Sequence, residues 1–198
     1  MKIYRPFLLV SESRTYRSVG DSNMTELEYR RMLSSGKAFP SHFQFPKHVE
    51  GEKDKPLHDF ILGYNQAPYI SERCRNILQT LLGEACSYIQ VGCLDSINYY
   101  VMNLTCILDC LDFKNAKIIE SSKGKVIKIS QYAFLEDKIP NDVYAFRVEV
   151  YPSDILVTEK FVEVVIENKF TGVGFENPCT PQIVSYKSEI PGLPIILV

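Results

Sequence analysis

The chain has 198 residues, 45% hydrophobic and 23% charged, with a formal net charge of -2. This balance excludes the low-hydrophobicity, high-charge composition of disordered chains, and a domain of this length buries roughly 70% of the surface its unfolded chain exposes. A near-neutral charge and a pI near 6.0 provide no global field to gather nucleic acid or an anionic membrane.

Residues 2–10 read as a first β-strand. The run Pro6-Phe7-Leu8-Leu9-Val10 is too short for a signal-peptide core and is followed by the polar Ser11-Glu12-Ser13-Arg14. A helix follows over about residues 25–33. Asn23 or Thr25 is its cap, Glu26 and Glu28 suit the positive end of its dipole, and Gly36 is its stop. Residues 37–68 hold Pro40, Pro46, Gly51, Pro56, Gly63, Pro68 and all three histidines. They predict a long irregular connection, functional or mobile.

Ser71 caps a second helix with a buried stripe of Ile77, Leu78, Leu81 and Leu82, ended by Gly83. Residues 88–91 and 97–102 are strand-forming runs that predict a hairpin or a bent strand. Residues 103–113 fit a helical stripe (Leu104, Ile107, Leu108, Leu111) as well as a continuing strand, and their type stays open. A hairpin is expected from residues 117–120 and 125–130 around Ser121-Ser122-Lys123-Gly124. Residues 145–150 alternate as another strand. Thr158 caps a third helix reaching about Asn168, with Phe161, Val162, Val165 and Ile166 on its inner face, and residues 173–175 form a short strand. The apolar segment 190–198, broken by Pro191 and Pro194, reads as a docked tail strand and is far shorter than a membrane span. With no regular βαβ alternation, these elements predict an α+β fold: a mixed, mostly antiparallel sheet with about three helices packed on it, in a single domain over residues 1–198.

Chemical signatures are sparse. Gly172 and Gly174 form only G-x-G, without a third glycine or a following helix, so close packing explains them better than a phosphate cradle. Neither a Gly-x-Ser-x-Gly elbow nor a phosphate-loop lysine pattern occurs. Cys74, Cys86, Cys93, Cys106, Cys110 and Cys179 are expected as buried free thiols, because the chain is large enough to be stable without disulfides. Cys106 and Cys110 are four residues apart with no histidine near, which suits a core rather than a metal. No metal and no cofactor is expected. A histidine-based hydrolase would have to recruit His42, His48 or His58, with Cys74 or Cys86 as conceivable nucleophiles. Asp109, Asp112, Glu136, Asp137 and Asp142 could supply acid/base pairs, as carboxylates in any globular chain could.

One charge asymmetry stands out. From residue 134 to 167 there are eight acids (Glu136, Asp137, Asp142, Glu149, Asp154, Glu159, Glu163, Glu167) against three bases (Lys138, Arg147, Lys160). Sharing one face, such acids would steer a basic partner; otherwise they are a solvated helix face and acidic loops. Tyr99 and Tyr100 point to opposite faces of a strand, so one of them should be outward and available as an interface anchor.

An ordered set of motifs adds to this: Tyr69-Ile70-Ser71-Glu72-Arg73 with the leucines to Leu82; Tyr99-Tyr100-Val101-Met102-Asn103 with Cys110-Leu111-Asp112; Tyr132-Ala133-Phe134; and Asp154-Ile155-Leu156-Val157-Thr158-Glu159-Lys160-Phe161 with Thr171-Gly172-Val173-Gly174-Phe175. Over roughly residues 68–178 the chain resembles the immunity-protein family of bacterial polymorphic toxin systems, first catalogued as a domain of unknown function. Lys114-Asn115-Ala116 departs from the family pattern by lacking a serine. Residues 1–67 lie outside the resemblance, as does the tail 179–198. The resemblance implies a cytoplasmic antidote that binds a cognate toxin domain, with a complementary surface and no active site. Expected contacts are the 37–68 connection, with His48 and Glu50, and the acidic surface at Glu136, Asp137 and Asp142. No nucleic-acid or membrane partner is expected, and a monomer is favoured. The alternatives are a small-ligand binder or hydrolase with a loop-histidine pocket, and an assembly subunit with a large apolar patch.

Overall fold

Local chemistry sets the helix ends. Thr25 Oγ1 accepts from the Glu28 amide at 3.3 Å while the Glu28 carboxylate accepts from the Thr25 amide at 2.8 Å, a capping box that starts helix α1 (Glu26–Ser35). Gly36 ends it in the left-handed region with φ 66°. Ser71 Oγ accepts from the Cys74 amide at 3.2 Å and starts α2 (Glu72–Leu82). Thr158 is the N-cap residue of α3 (Glu159–Glu167), but its hydroxyl makes no capping bond. It donates instead to the carbonyls of Val143 and Tyr144 at 3.2 and 3.3 Å, tying the helix start to the residues that lead into the strand 145–148.

The computed structural model describes residues 1–9, 14, 16–18, 25–41, 43, 48–50, 55–63, 67–180 and 196–197, with backbone alone for 16–18, 26, 48–50 and 196–197. Asn23, His42 and most of the tail strand expected at 190–198 lie outside the described residues. The strands are β1 (Ile3–Leu8), β2 (Tyr16–Ser18), β3 (His48–Glu50), β4 (Phe60–Leu62), β5 (Pro68–Ser71), β6 (Cys86–Leu94), β7 (Ile97–Leu104), β8 (Ile107–Leu108), β9 (Lys117–Glu120), β10 (Val126–Gln131), β11 (Ala145–Val148), β12 (Tyr151–Thr158), β13 (Val173–Glu176) and β14 (Ile196–Leu197). One sheet runs β14-β13-β1-β12-β11-β8 and a second β4-β5-β7-β6; β9-β10 and β2-β3 are separate ladders. Only β11-β8 and β13-β14 are parallel among the described pairings. The fold is α+β with strands dominating, as expected.

Alternation along the strands builds the core on both faces of each sheet. Tyr4, Ala145, Val157 and Phe175 of the larger sheet join Phe60, Ile70, Met102 and Leu104 of the smaller one, with α2 and α3, in one cluster. Their neighbours Ile3, Phe146 and Leu156 face a second cluster with Ile129 of the β9-β10 hairpin. Ile61, Tyr69, Tyr99 and Val101 face a third, with Tyr29 and Met32 of α1.

Several expectations need correction. Residues 103–113 are neither a helix nor one strand: β7 ends at Leu104 and the two-residue β8 pairs with β11. The 88–91 run extends to Leu94, with a bulge around Gly92, and reaches β7 through Asp95 and Ser96, both at positive φ in a two-residue turn. The 37–68 connection contains β3 and β4. Ile166 is 47% exposed, not on the inner face with Phe161, Val162 and Val165. At 100° per residue it sits about 140° around the helix from Phe161 and meets no partner layer. Ile77 and Leu81 only flank the buried Leu78 and Leu82. Neither Tyr99 nor Tyr100 is fully outward: Tyr99 is buried and Tyr100 is half-buried, with Arg75 5.3 Å over its ring and its hydroxyl donating to Glu72 at 3.2 Å.

Candidate functional site

The motif residues come together as structural contacts. Asp59, outside every quoted motif and 8% exposed, collects two of them. Its Oδ1 accepts from Ser71 Oγ at 2.7 Å and Arg73 Nε at 3.2 Å, and its Oδ2 from Arg73 Nη2 at 2.6 Å and the Thr171 amide at 3.1 Å. The Asp59 carbonyl accepts from the Ser71 amide at 2.8 Å, and the Phe60 amide donates to the Thr171 carbonyl at 2.9 Å. One carboxylate thus joins the end of β5, the first turn of α2 and the segment entering β13. Leu111 bridges Phe134, the Asp112 amide donates to the Ala133 carbonyl at 2.9 Å, and Tyr132 Oη donates to Asp154 Oδ2 at 2.9 Å. These groups hold a scaffold and are each occupied by it.

The expected contact residues fall on separate elements. Glu136 and Asp137 lie in a 3-10 turn, Glu136–Lys138, which ends at the buried Ile139. Both are exposed, as is Asp142. Glu136 accepts from the Met1 amino group at 2.8 Å on the rim of a hollow of about 230 Å³, lined also by Tyr4, Phe134 and Cys179. Cations interleave with the acids: Lys138 pairs with Asp109 at 2.8 Å, Lys2 with Glu159 at 3.3 Å, and Lys160 Nζ donates to the Asn141 carbonyl at 2.7 Å. Asp154 is set apart, half-buried and held by Arg5 Nη1 at 3.3 Å and by Tyr132. His48 and Glu50 belong to β3, which pairs with β2 and contacts β6, and their side chains are outside the described residues.

His58 is not a surface loop residue; it is 6% exposed, its carbonyl accepts from Tyr99 Oη at 2.8 Å, and its Cβ packs beside Gly172. No group of three or more His, Cys, Asp or Glu suited to a metal occurs among the described residues. The expectation of buried thiols holds for Cys74, Cys86 and Cys110, fails for the exposed Cys93, and is half met by Cys106 and Cys179. Burial pushes the Cys86 and Cys110 thiols up to about 11, keeping them protonated. With a limiting thiol reagent at pH 8, Cys93 should be modified first and Cys74, Cys86 and Cys110 only on unfolding; peptide mapping checks this order.

One concavity was not legible in the sequence. A cleft of about 720 Å³ opens between the two sheets beside α1, with walls from β1, β4, β12 and α3. No histidine or cysteine lines it among the described residues. It does reach Arg147, 3% exposed, in an otherwise apolar strand. The Arg147 Nε donates to the Leu104 carbonyl at 2.9 Å, and Nη1 to the carbonyls of Pro152 and Ser153 at 2.5 and 3.4 Å. Burial lowers its pKa to about 10, so it stays charged at neutral pH. Sequence reasoning counted Arg147 only as one base among acids; the available signal was a lone cation inside the apolar run 143–148.

No helix among the described residues is long and apolar enough to cross a membrane. A search of curated proteins finds no match to the chain. A family model described as an immunity protein family, Imm11, matches residues 10–179. The match begins well before residue 68, where the motif resemblance started, and so takes in Asp59, through which two of those motifs are joined. A match over most of the length, on a scaffold whose quoted motifs contact one another, places this chain in the Imm11 immunity protein family.

Proposed function

We propose that this chain is a non-catalytic antidote, acting as one domain in the cytoplasm, which binds a cognate toxin of a polymorphic toxin system directly and blocks it. The observation that carries this reading is the family match over residues 10–179. A polar network spent on holding the scaffold agrees with it: Asp59, Ser71, Arg73 and Thr171 bond one another rather than facing a substrate. A hydrolase built on the loop histidines draws no support from His58, which is buried outside both clefts.

The proposed contact surface is the turn bearing Glu136 and Asp137 with the nearby Asp142, together with His48 and Glu50 on β3. Ile139 anchors the turn, so its carboxylates are presented without a large ordering cost. A toxin with a basic cleft would be steered by them.

The test pairs the chain with the protein encoded by the adjacent gene, measuring one-to-one binding and rescue of growth. The triple variant Glu136→Lys, Asp137→Lys, Asp142→Lys should slow association about tenfold at low salt and flatten its salt dependence. Folding should survive, because the Glu136 side chain is 66% exposed and such ion pairs are worth little. Unchanged kinetics with intact rescue would move the contact surface elsewhere. Absence of both binding and rescue in the wild type would overturn the antidote reading.

A further inference from the structure

We propose that the cleft between the two sheets is a binding site for an amphipathic organic anion, its acidic head against Arg147 and its aliphatic or aromatic body along the apolar walls. This is independent of the toxin-contact surface, since neither Glu136, Asp137 nor Asp142 lines the cleft.

Size and wall chemistry come first. About 720 Å³ falls within the range of small-ligand sites, roughly 300–1,000 Å³. Phe7, Leu62, Met102, Ile155 and Phe161 provide an apolar surface from five different elements. Such a surface rewards a hydrocarbon body and gives a fully hydrated ion little reason to enter.

Arg147 supplies the second, independent observation. It is a cation 97% removed from solvent whose hydrogen bonds all go to neutral backbone carbonyls, of Leu104, Pro152 and Ser153. Those bonds use Nε and Nη1; Nη2 makes none, and no carboxylate forms an ion pair with Arg147 among the described residues. Asp154 stabilises this charge only from a distance, without a direct ion pair, and an arriving carboxylate or phosphate head would supply a counter-ion in contact. Gly36 at the end of α1 lies close beside the arginine stem, since a Cβ added there would be 3.1 Å from Arg147 Cδ, and three backbone carbonyls fix the guanidinium. The guanidinium is therefore held in place before a ligand arrives.

The other charges in the wall are engaged with partners of their own. Arg5 and Asp154 satisfy each other, with Glu176 on Arg5 and Tyr132 on Asp154, so Asp154 is not open to recruit a cation. Arg30 on α1 also lines the cleft and has interactions of its own.

Isothermal titration of the full chain with sodium decanoate, decanol and inorganic phosphate separates the head from the body. Decanoate should bind one-to-one in the micromolar range, decanol at least about tenfold more weakly, and phosphate not at all at about 1 mM. Leu62→Trp or Ser34→Trp, each filling the cleft from a different wall, should weaken decanoate at least about tenfold while circular dichroism stays native. Arg147→Met, where it folds, should make decanoate and decanol equal. No saturation by decanoate below about 1 mM, equal binding of decanol by the wild type, or unchanged affinity in a folded cleft-filling variant each overturns the proposal. So does phosphate binding as tightly as decanoate.

Discussion

Replacing Gly172 by alanine is expected to destabilise the fold by about 4 kcal/mol, enough to leave many domains partly unfolded. Two effects add. At φ 87° an L-residue is strained by about 1 kcal/mol or more. The larger cost is steric, because a Cβ would sit against the Phe60 carbonyl oxygen and within 2.6 Å of His58 Cβ. Backbone there has nowhere to yield: the Phe60 amide bonds the Thr171 carbonyl at 2.9 Å, and the Leu9 amide bonds the Gly172 carbonyl at 3.0 Å. Gly124→Ala is the control. It has φ 73° with nothing within 4 Å of the added carbon, so its cost should be about 1 kcal/mol. Denaturant midpoints of the two variants decide the matter; equal losses would show that φ alone sets the cost.

Asp59→Ala should cost about 3 kcal/mol, the second largest effect expected. Its carboxylate is the shared acceptor for Ser71 Oγ, the Thr171 amide and the Arg73 guanidinium, and Ser71 is itself buried. Removal leaves the hydroxyl and the amide without an acceptor at the seam between the two sheets. The ion pair contributes less, because the Arg73 side chain is 54% exposed and water screens it. Arg73→Ala should therefore cost about 1 kcal/mol, a loss shared between that pair and the contact of the guanidinium 4.9 Å over the Phe170 ring. Thermal unfolding of both variants checks the order. A larger loss for Arg73→Ala would mean that the ion pair, rather than the neutral donors, holds the seam.

Both predictions concern one place, where the segment before β4 meets the segment before β13. Residues 58–60 and 171–172 are more than a hundred positions apart, and the sequence treated the first group as part of an irregular connection. Gly172 was read as a packing glycine, which the Phe60 carbonyl and His58 explain. Gly174 is explained the same way, by the Phe7 ring. Asp59 went unmarked because a carboxylate in a proline-rich stretch looks like any surface acid until its partners are known.

The local grammar was legible where short-range physics dominates. The Ser71 cap and the β9-β10 turn each depend on groups within a few residues, so spacing alone determined them, while it left the first cap between Asn23 and Thr25, which the Glu28 partner decides. The apolar stripe of α3 was legible except at its margin, where only the shape of the opposing sheet decides whether Ile166 is covered. Residues 103–113 stayed ambiguous because one apolar pattern serves helix and strand, and pairing of β8 with β11 across some forty residues settled the choice.

By itself, the sequence determined the α+β class, the three helices, the Ser71 cap, the hairpins and the resemblance to an immunity family, all products of neighbours in the chain or of ordered motifs. Tertiary structure alone decided which polar groups are spent on the scaffold, that His58 is buried and Cys93 exposed, and that Arg147 lines a cleft between the sheets. The physical reason is range: capping and periodicity act over one or two turns of chain, whereas burial, a shared carboxylate and a cavity exist only once distant segments have met.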